Sequence, residues 1–195
     1  MQARELVFLL EERSAQALLE TLLPRFLDPR ITPRFVTFEG KQDLDKQLER
    51  RLRGYRNPNV RFVVLRDQDG FADCRALKAR LWAQCVAAGR AGTAVVRLAC
   101  CELEAYYLAD LAAVEQALGM PALADQQARA KFRAPDALGS PSHELHLLTK
   151  GLYQKVDGSR RIGQHLDLNN GRSPSFACLV GGIRRLADEL LALPD

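Results

Sequence analysis

The sequence predicts an α/β fold: a four-stranded, mainly parallel sheet with helices on both faces, followed by a C-terminal helical cap. Three observations carry that expectation. Four short apolar runs alternate with stretches of helical spacing over residues 1–120, the signature of a strand–helix series. The runs are apolar almost throughout rather than every second residue, as in strands covered on both faces. Beyond Pro121 no strand pattern continues, and short helical pieces are broken by Pro135, Gly139, Pro141, Gly151, Gly158 and Gly171.

The first strand is Leu6-Val7-Phe8-Leu9-Leu10. Ser14 then caps a helix to about Phe26, with Leu18, Leu19, Leu22 and Leu23 on one face and Pro24 disturbing its last turn. Arg34 to Phe38 reads as the second strand, closed by Gly40. Leu44, Leu48 and Leu52 mark the helix after it, which ends at Gly54 and Pro58. The third strand, Arg61 to Leu65, precedes a helix from about Cys74 to Ala88. The fourth, Ala94 to Ala99, precedes a helix from about Glu102 to Leu118. A last amphipathic helix spans Ser175 to Leu193, with Ser173-Pro174-Ser175 at its cap. Residues 1–120 are thus expected to form the core and 121–195 a helical cap packed on it.

A chain of 195 residues with 47% hydrophobic and 27% charged residues supports one ordinary core and is not disordered. No apolar run approaches the ~18 residues of a membrane span. The N-terminus lacks a cleavable leader pattern, so a cytoplasmic location is expected. Five cysteines (Cys74, Cys85, Cys100, Cys101, Cys178) show no metal-type spacing. Most lie inside apolar patterns and read as small buried hydrophobes in a reducing compartment. No GxxxxGK[ST] motif is present, so ATP binding through a phosphate loop is excluded. His143-Glu144-Leu145-His146 lacks the spacing of a helical zinc motif.

The acids are placed more tellingly. In parallel sheets, binding sites form beyond the carboxyl ends of the strands. Strand 1 runs into Glu11-Glu12, strand 3 into Asp67-Gln68-Asp69, and strand 4 leads to Glu102-Leu103-Glu104. If extension persists, Asp67 and Asp69 turn to one side. Carboxylates crowded together call for a divalent cation, and hard oxygen ligands suit Mg²⁺ or Mn²⁺. The plainer reading makes such acids helix caps, and it suits Glu12 and Glu39. For Glu11, Asp67, Asp69 and Glu102 or Glu104 together, one or two bound metal ions are expected.

Taken together, these residues resemble the Toprim fold of topoisomerases, primases and OLD-type nucleases. More narrowly, several runs look like an uncharacterised bacterial Toprim-like family. They are Phe38 to Leu44, Val64 to Asp69, Glu102 to Asp110, Tyr153-Gln154-Lys155-Val156 and Arg172 to Phe176. The resemblance spans essentially the whole chain. It implies a metal-dependent nuclease acting on DNA or RNA, with Glu11, Asp67, Asp69 and Glu102 or, in preference because it continues into the matching run, Glu104 as catalytic and metal-binding acids and Lys155 as a basic residue beside the phosphate. It also implies anti-phage defence alongside a separate ABC/AAA-type ATPase, as in PARIS-type systems. The sequence departs from the common strand-1 pattern, with Glu12 in place of a glycine and Ala15 in place of a second Glu. That departure keeps open a non-catalytic subunit holding nucleic acid or a partner protein. A small-nucleotide phosphohydrolase is a third reading.

The net charge of +4 is uneven. Residues 41–61 and 126–161 each carry seven basic side chains against three acidic ones. Lys41, Arg53, Arg56, Lys131, Arg133, Arg160 and Arg161 are the candidates for contact with a nucleic-acid backbone, with Tyr55, Phe132 and Tyr153 for stacking. Tyr106, Tyr107 and Trp82 read as core.

Overall fold

A computed structural model describes residues 3–194. The four apolar runs become β1 (Arg4–Leu10), β2 (Ile31–Thr37), β3 (Val60–Asp67) and β4 (Ala94–Ala99), paired in the order β2-β1-β3-β4. Every pairing is parallel, with Phe8 opposite both Phe35 and Val63. Side chains alternate along a strand, so Leu6, Phe8 and Leu10 feed one buried cluster while Val7 and Leu9 feed another on the opposite face. Helices α2 (Lys41–Arg53) and α3 (Cys74–Ala87) cover the second face, through Leu44, Leu48, Leu52, Leu77 and Leu81.

The first face is covered by α1 (Arg13–Leu22) and by α8 (Pro174–Leu191), which packs against β1, β3 and β4. The segment beyond residue 121 is therefore more than a cap, because its last helix is one layer of the sheet. Phe176, Leu179, Ile183 and Leu190 share a single core with Leu6, Phe8 and Leu10. Ser173 starts α8 by accepting a hydrogen bond from Phe176 N at 3.2 Å, as its position before the apolar periodicity predicts.

Five expectations need correction. Ser14 does not cap α1 but lies inside it, with Glu12 before the first turn accepting from the Ser14 hydroxyl, and the helix ends at Leu22 ahead of a 3-10 turn at Leu23–Arg25. The helix expected over 102–118 is two, α4 (Glu104–Leu108) and α5 (Leu111–Leu118). Asp110 breaks it by accepting from Ala113 N and from Asp167 N, which caps α5 and ties down a distant loop. β2 starts three residues early and contains Pro33, tolerated because β2 is an edge strand. Trp82 is 37% exposed rather than core. Of the five free cysteines only Cys85 is buried, and Cys74 and Cys178 are exposed.

Between α5 and α8 lie α6 (Pro141–Leu148) and α7 (Lys155–Gly163). α6 packs on α4, and α7 packs on α1 and α5. The α7–α1 approach depends on Gly163, where a Cβ would stand 2.4 Å from Thr21 Oγ1 and 2.8 Å from the Leu18 carbonyl. No helix among the described residues is long and apolar enough to cross a membrane.

A candidate carboxylate site at the switch point of the sheet

The chain leaves β1 for β2 on one side and returns to β3 on the other. Between β1 and β3 the order therefore reverses, and a crevice opens at the carboxyl ends of the strands. Glu11 follows β1 directly. Its N–H donates to the Leu65 carbonyl at 3.2 Å, and its Oε2 accepts from Asp67 N at 3.1 Å. The side chain thus crosses the crevice to the end of β3. Arg66 Nε stands 3.8 Å from the same oxygen. Burial first, then the charge of Asp69, raises the pKa of Glu11.

Asp67, the last residue of β3, is 8% exposed. No hydrogen bond reaches its carboxylate among the described residues. Burial and the nearby charges of Glu12, Glu104 and Glu11 push its pKa well up, against the pull of Lys155. Glu104 opens α4 and is 1% exposed. Its Oε1 accepts from the Tyr153 hydroxyl at 2.9 Å, while its buried Oε2 has no partner among the described residues. Burial raises its pKa too, and Lys155 opposes the rise. Lys155 begins α7. Its Nζ donates to Glu12 Oε2 at 2.7 Å and faces the field of Glu104 and Asp67.

Two acids are placed differently from the expectation. The extended backbone stops at Asp67, and Asp69 takes a positive φ of 51°, so strand alternation does not aim the pair. Asp69 N donates to Cys101 O at 2.7 Å, and Asp69 Oδ2 accepts from Lys41 Nζ at 3.1 Å. The residue stays close enough to raise the pKa of Glu11. Glu102 turns elsewhere: its Oε2 accepts from Ser142 N at 2.7 Å, at the start of α6. It caps a helix whose first N–H groups lack intrahelical partners, and it leaves the crevice to Glu104.

Tyr153 has a larger part than its sequence position suggests. It is 7% exposed, its ring lies 5.9 Å from that of Tyr107, and its hydroxyl holds Glu104. Phe132 is fully buried. Neither ring can stack on a base, which corrects the expectation for both. The signal for Tyr153 was its neighbour Lys155, since both flank the start of α7.

The basic candidates divide by position. Lys41, at the first turn of α2, stands on the carboxylate side of the sheet. α2 then runs down to the amino ends of the strands, where Arg53 donates to Ala87 O at the end of α3. Arg53 and the nearby exposed Arg56 therefore face away from the crevice. Lys131 pairs with Glu144 on α6 at 2.5 Å, and Arg161 approaches Asp157 within its own helix. Arg133 is exposed. Arg160 pairs with Glu20 at 2.6 Å and, with Arg13, Gln16, Thr37 and Val156, lines an open pocket of about 400 Å³ beside the ends of β1 and β2.

Among the described residues no three Asp, Glu, His or Cys side chains already stand in the geometry of a bound metal. The chemistry of the donors nevertheless fits a hard cation. Among the described residues no donor reaches the Asp67 carboxylate and Glu104 Oε2 is an orphan buried oxygen, and both groups have raised pKa values in a crevice with excess negative charge. An unpaired buried carboxylate is costly unless protonated or bound to a cation.

The fold and site define an α/β protein with buried, underbonded carboxylates at the switch point of a parallel sheet. The chain belongs to the family described as a domain of unknown function, DUF4276, which matches residues 10–184. No curated protein and no solved structure matches it.

Proposed function

We propose that the protein is a Mg²⁺- or Mn²⁺-dependent phosphodiester hydrolase of Toprim-like type, acting on DNA or RNA. One observation carries the reading: Asp67 and Glu104 bring buried carboxylates with unbonded oxygens to the switch-point crevice beside Glu11. Glu11, Asp67 and Glu104 are the residues that would hold the metal. When bound, such a cation lowers the pKa of a coordinated water and polarises a phosphate oxygen.

The chain's own side chains account for the rest. Tyr153 fixes Glu104 by a hydrogen bond to Oε1 and leaves Oε2 free for a ligand. Lys155 stands beside Glu12, Glu104 and Asp67, suited to stabilise negative charge developing on a leaving oxygen. Lys41 pairs with Asp69, and Arg13 and Arg160 line the pocket beside the ends of β1 and β2, from which they would offer positive charge to flanking phosphates. The resemblance in the sequence adds an anti-phage setting and a separate ABC/AAA-type ATPase as partner.

A second reading rests on Glu12 and Ala15, which stand where the strand-1 pattern has a glycine and a second Glu: a non-catalytic subunit that holds nucleic acid or a partner protein and keeps the acidic pocket. One assay separates the two. Supercoiled plasmid and total tRNA are incubated with Mn²⁺ and either the wild type or Asp67→Asn. The hydrolase reading expects cleavage that falls at least about 100-fold in the variant. Binding without cleavage, unchanged in the variant, supports the subunit instead. Equal cleavage by both proteins removes Asp67 from the site.

A further inference from the structure

The sheet edge farthest from β2 carries a feature that the carboxylate site does not use. β4 is an edge strand, paired only with β3. Phe62 N donates to Thr93 O at 2.8 Å, and Gln68 N donates to Ala99 O at 2.9 Å. In a parallel ladder alternate residues turn both backbone groups to the same neighbour. Thr93, Val95, Arg97 and Ala99 therefore face β3, while Ala94, Val96 and Leu98 direct N–H and C=O away from the sheet. Among the described residues one of those outward groups is engaged, the Val96 carbonyl, by Arg97 Nη1 at 2.9 Å.

α3 and α8 overhang this edge and leave a groove of about 470 Å³ with β4 as its floor. Arg75, Lys78, Arg97 and Arg185 line it together with Trp82, and no acid does. The whole of α3 lacks an acidic residue and presents Trp82 and Val86 at 37% and 49% exposure. Arg97 is seated against α8: its Nε donates to the Cys178 carbonyl at 2.7 Å, and a Cβ on Gly182 would meet the guanidinium at 2.7 Å. An arginine laid over its own strand edge is a means of blunting that edge.

We infer that this groove is a docking site for an extended, acidic segment of a partner protein, which adds beside β4 as a fifth strand. The sheet order β2-β1-β3-β4 continues naturally into a fifth parallel-sheet position. Strand addition satisfies outward N–H and C=O groups in alternation, and pockets for alternate side chains give selectivity. The partner's N–H replaces Arg97 at the Val96 carbonyl, and its acidic side chains meet Arg75, Lys78 and the released Arg97. A nucleic-acid strand matches the charge but not the alternating donors and acceptors of the edge. A second copy offers Ala94 to Ala99, which brings Arg97 and the flanking cations against their equivalents. The inference is independent of the hydrolase reading, since its test needs neither metal nor cleavage.

The probe is a fluorescein-labelled, end-capped peptide of seven alternating Glu and Val residues, titrated by fluorescence anisotropy. A Lys-for-Glu peptide and a labelled ten-nucleotide dT strand serve as comparisons. Val96→Pro removes one outward N–H without touching the β3 ladder, and Arg75→Glu with Lys78→Glu reverses two groove charges. Lys46→Glu on α2 is the surface control. Each variant is first checked for an unchanged circular dichroism spectrum. The inference expects saturable binding of the acidic peptide, weakened at least about 10-fold by Val96→Pro and by the double reversal, and unchanged by Lys46→Glu. If Val96→Pro fails to fold, Trp82→Ala takes its place with the same expected direction. Four results overturn it: no binding at about 1 mM, equal binding of the Lys peptide, tighter binding of dT abolished by charge reversal, or dimerisation abolished by Val96→Pro.

Discussion

At the scale of single residues, Asp67 sets the energetics of the site. Its folded-state pKa is raised, mainly by burial and then by neighbouring acids. The folded protein therefore binds a proton at pH values where the unfolded chain, with an ordinary value near ~3.9, has released it. Stability falls as pH rises from that ordinary value through the raised one, and levels off above it. Glu104 and Glu11 shift in the same direction and add to the slope. The metal-free protein should accordingly melt lower at pH 8 than at pH 5. Asp67→Asn should raise the melting temperature at neutral pH by the equivalent of about 1–3 kcal/mol, the cost of an uncompensated buried group, and make the pH profile shallower. Mn²⁺ should raise the melting point of the wild type and not of the variant. A flat wild-type profile in a scanning calorimeter would count against this account. Tyr153→Phe tests the support of Glu104: about 10–100-fold weaker Mn²⁺ binding is expected by titration calorimetry, as when a metal ligand loses its hydrogen-bond partner. The positions of Glu11 and Asp67 were legible in the sequence, because acids directly ending apolar strands have nowhere to go but the carboxyl edge. Whether Glu102 or Glu104 faces the crevice was not, since it depends on Ser142, forty residues away, taking Glu102.

At the scale of elements, α7 delivers Lys155 to the crevice, and it does so by lying close against α1. Gly163 permits that approach, and any side chain there would collide with Thr21 and the Leu18 backbone. Gly163→Ala is expected to cost about 1–3 kcal/mol through overpacking, and to weaken the Lys155–Glu12 contact as α7 moves away. Gly181→Ala is the matching control: its Cβ meets nothing within 4 Å, and alanine is the better helix former, so that variant should hold or gain about 0.5–1 kcal/mol. Chemical denaturation of both variants, read by circular dichroism, checks the contrast. A drop in stability in both would remove the specific role of the α7–α1 approach. The sequence showed the four strands and most of their helices because each carries its own periodicity. It did not show that α8 forms a layer of the sheet. That position depends on which apolar face remains uncovered after α1, α2 and α3 have packed, a question no local window answers.

At the scale of the whole molecule, a total charge of +4 says little, and its placement says more. The basic surplus in residues 41–61 is spread along α2 from one end of the sheet to the other. Lys41 stands beside Asp69, while Arg53 reaches the end of α3. A helix of thirteen residues is about 20 Å long at ~1.5 Å per residue, farther than a single phosphate can bridge. If nucleic acid binds across the carboxylate edge, Lys41 and Arg160 contribute and Arg53 and Arg56 do not. The double variant Lys41→Ala/Arg160→Ala should weaken binding of a labelled oligonucleotide and reduce the slope of log K against log salt by about one for each phosphate that is no longer neutralised. Arg53→Ala/Arg56→Ala should leave both unchanged. Both measurements belong in Ca²⁺ or without metal, so that binding is read apart from cleavage. The opposite ranking would place the nucleic acid on the amino edge of the sheet, away from Asp67 and Glu104, and would separate the basic surface from the carboxylate site altogether.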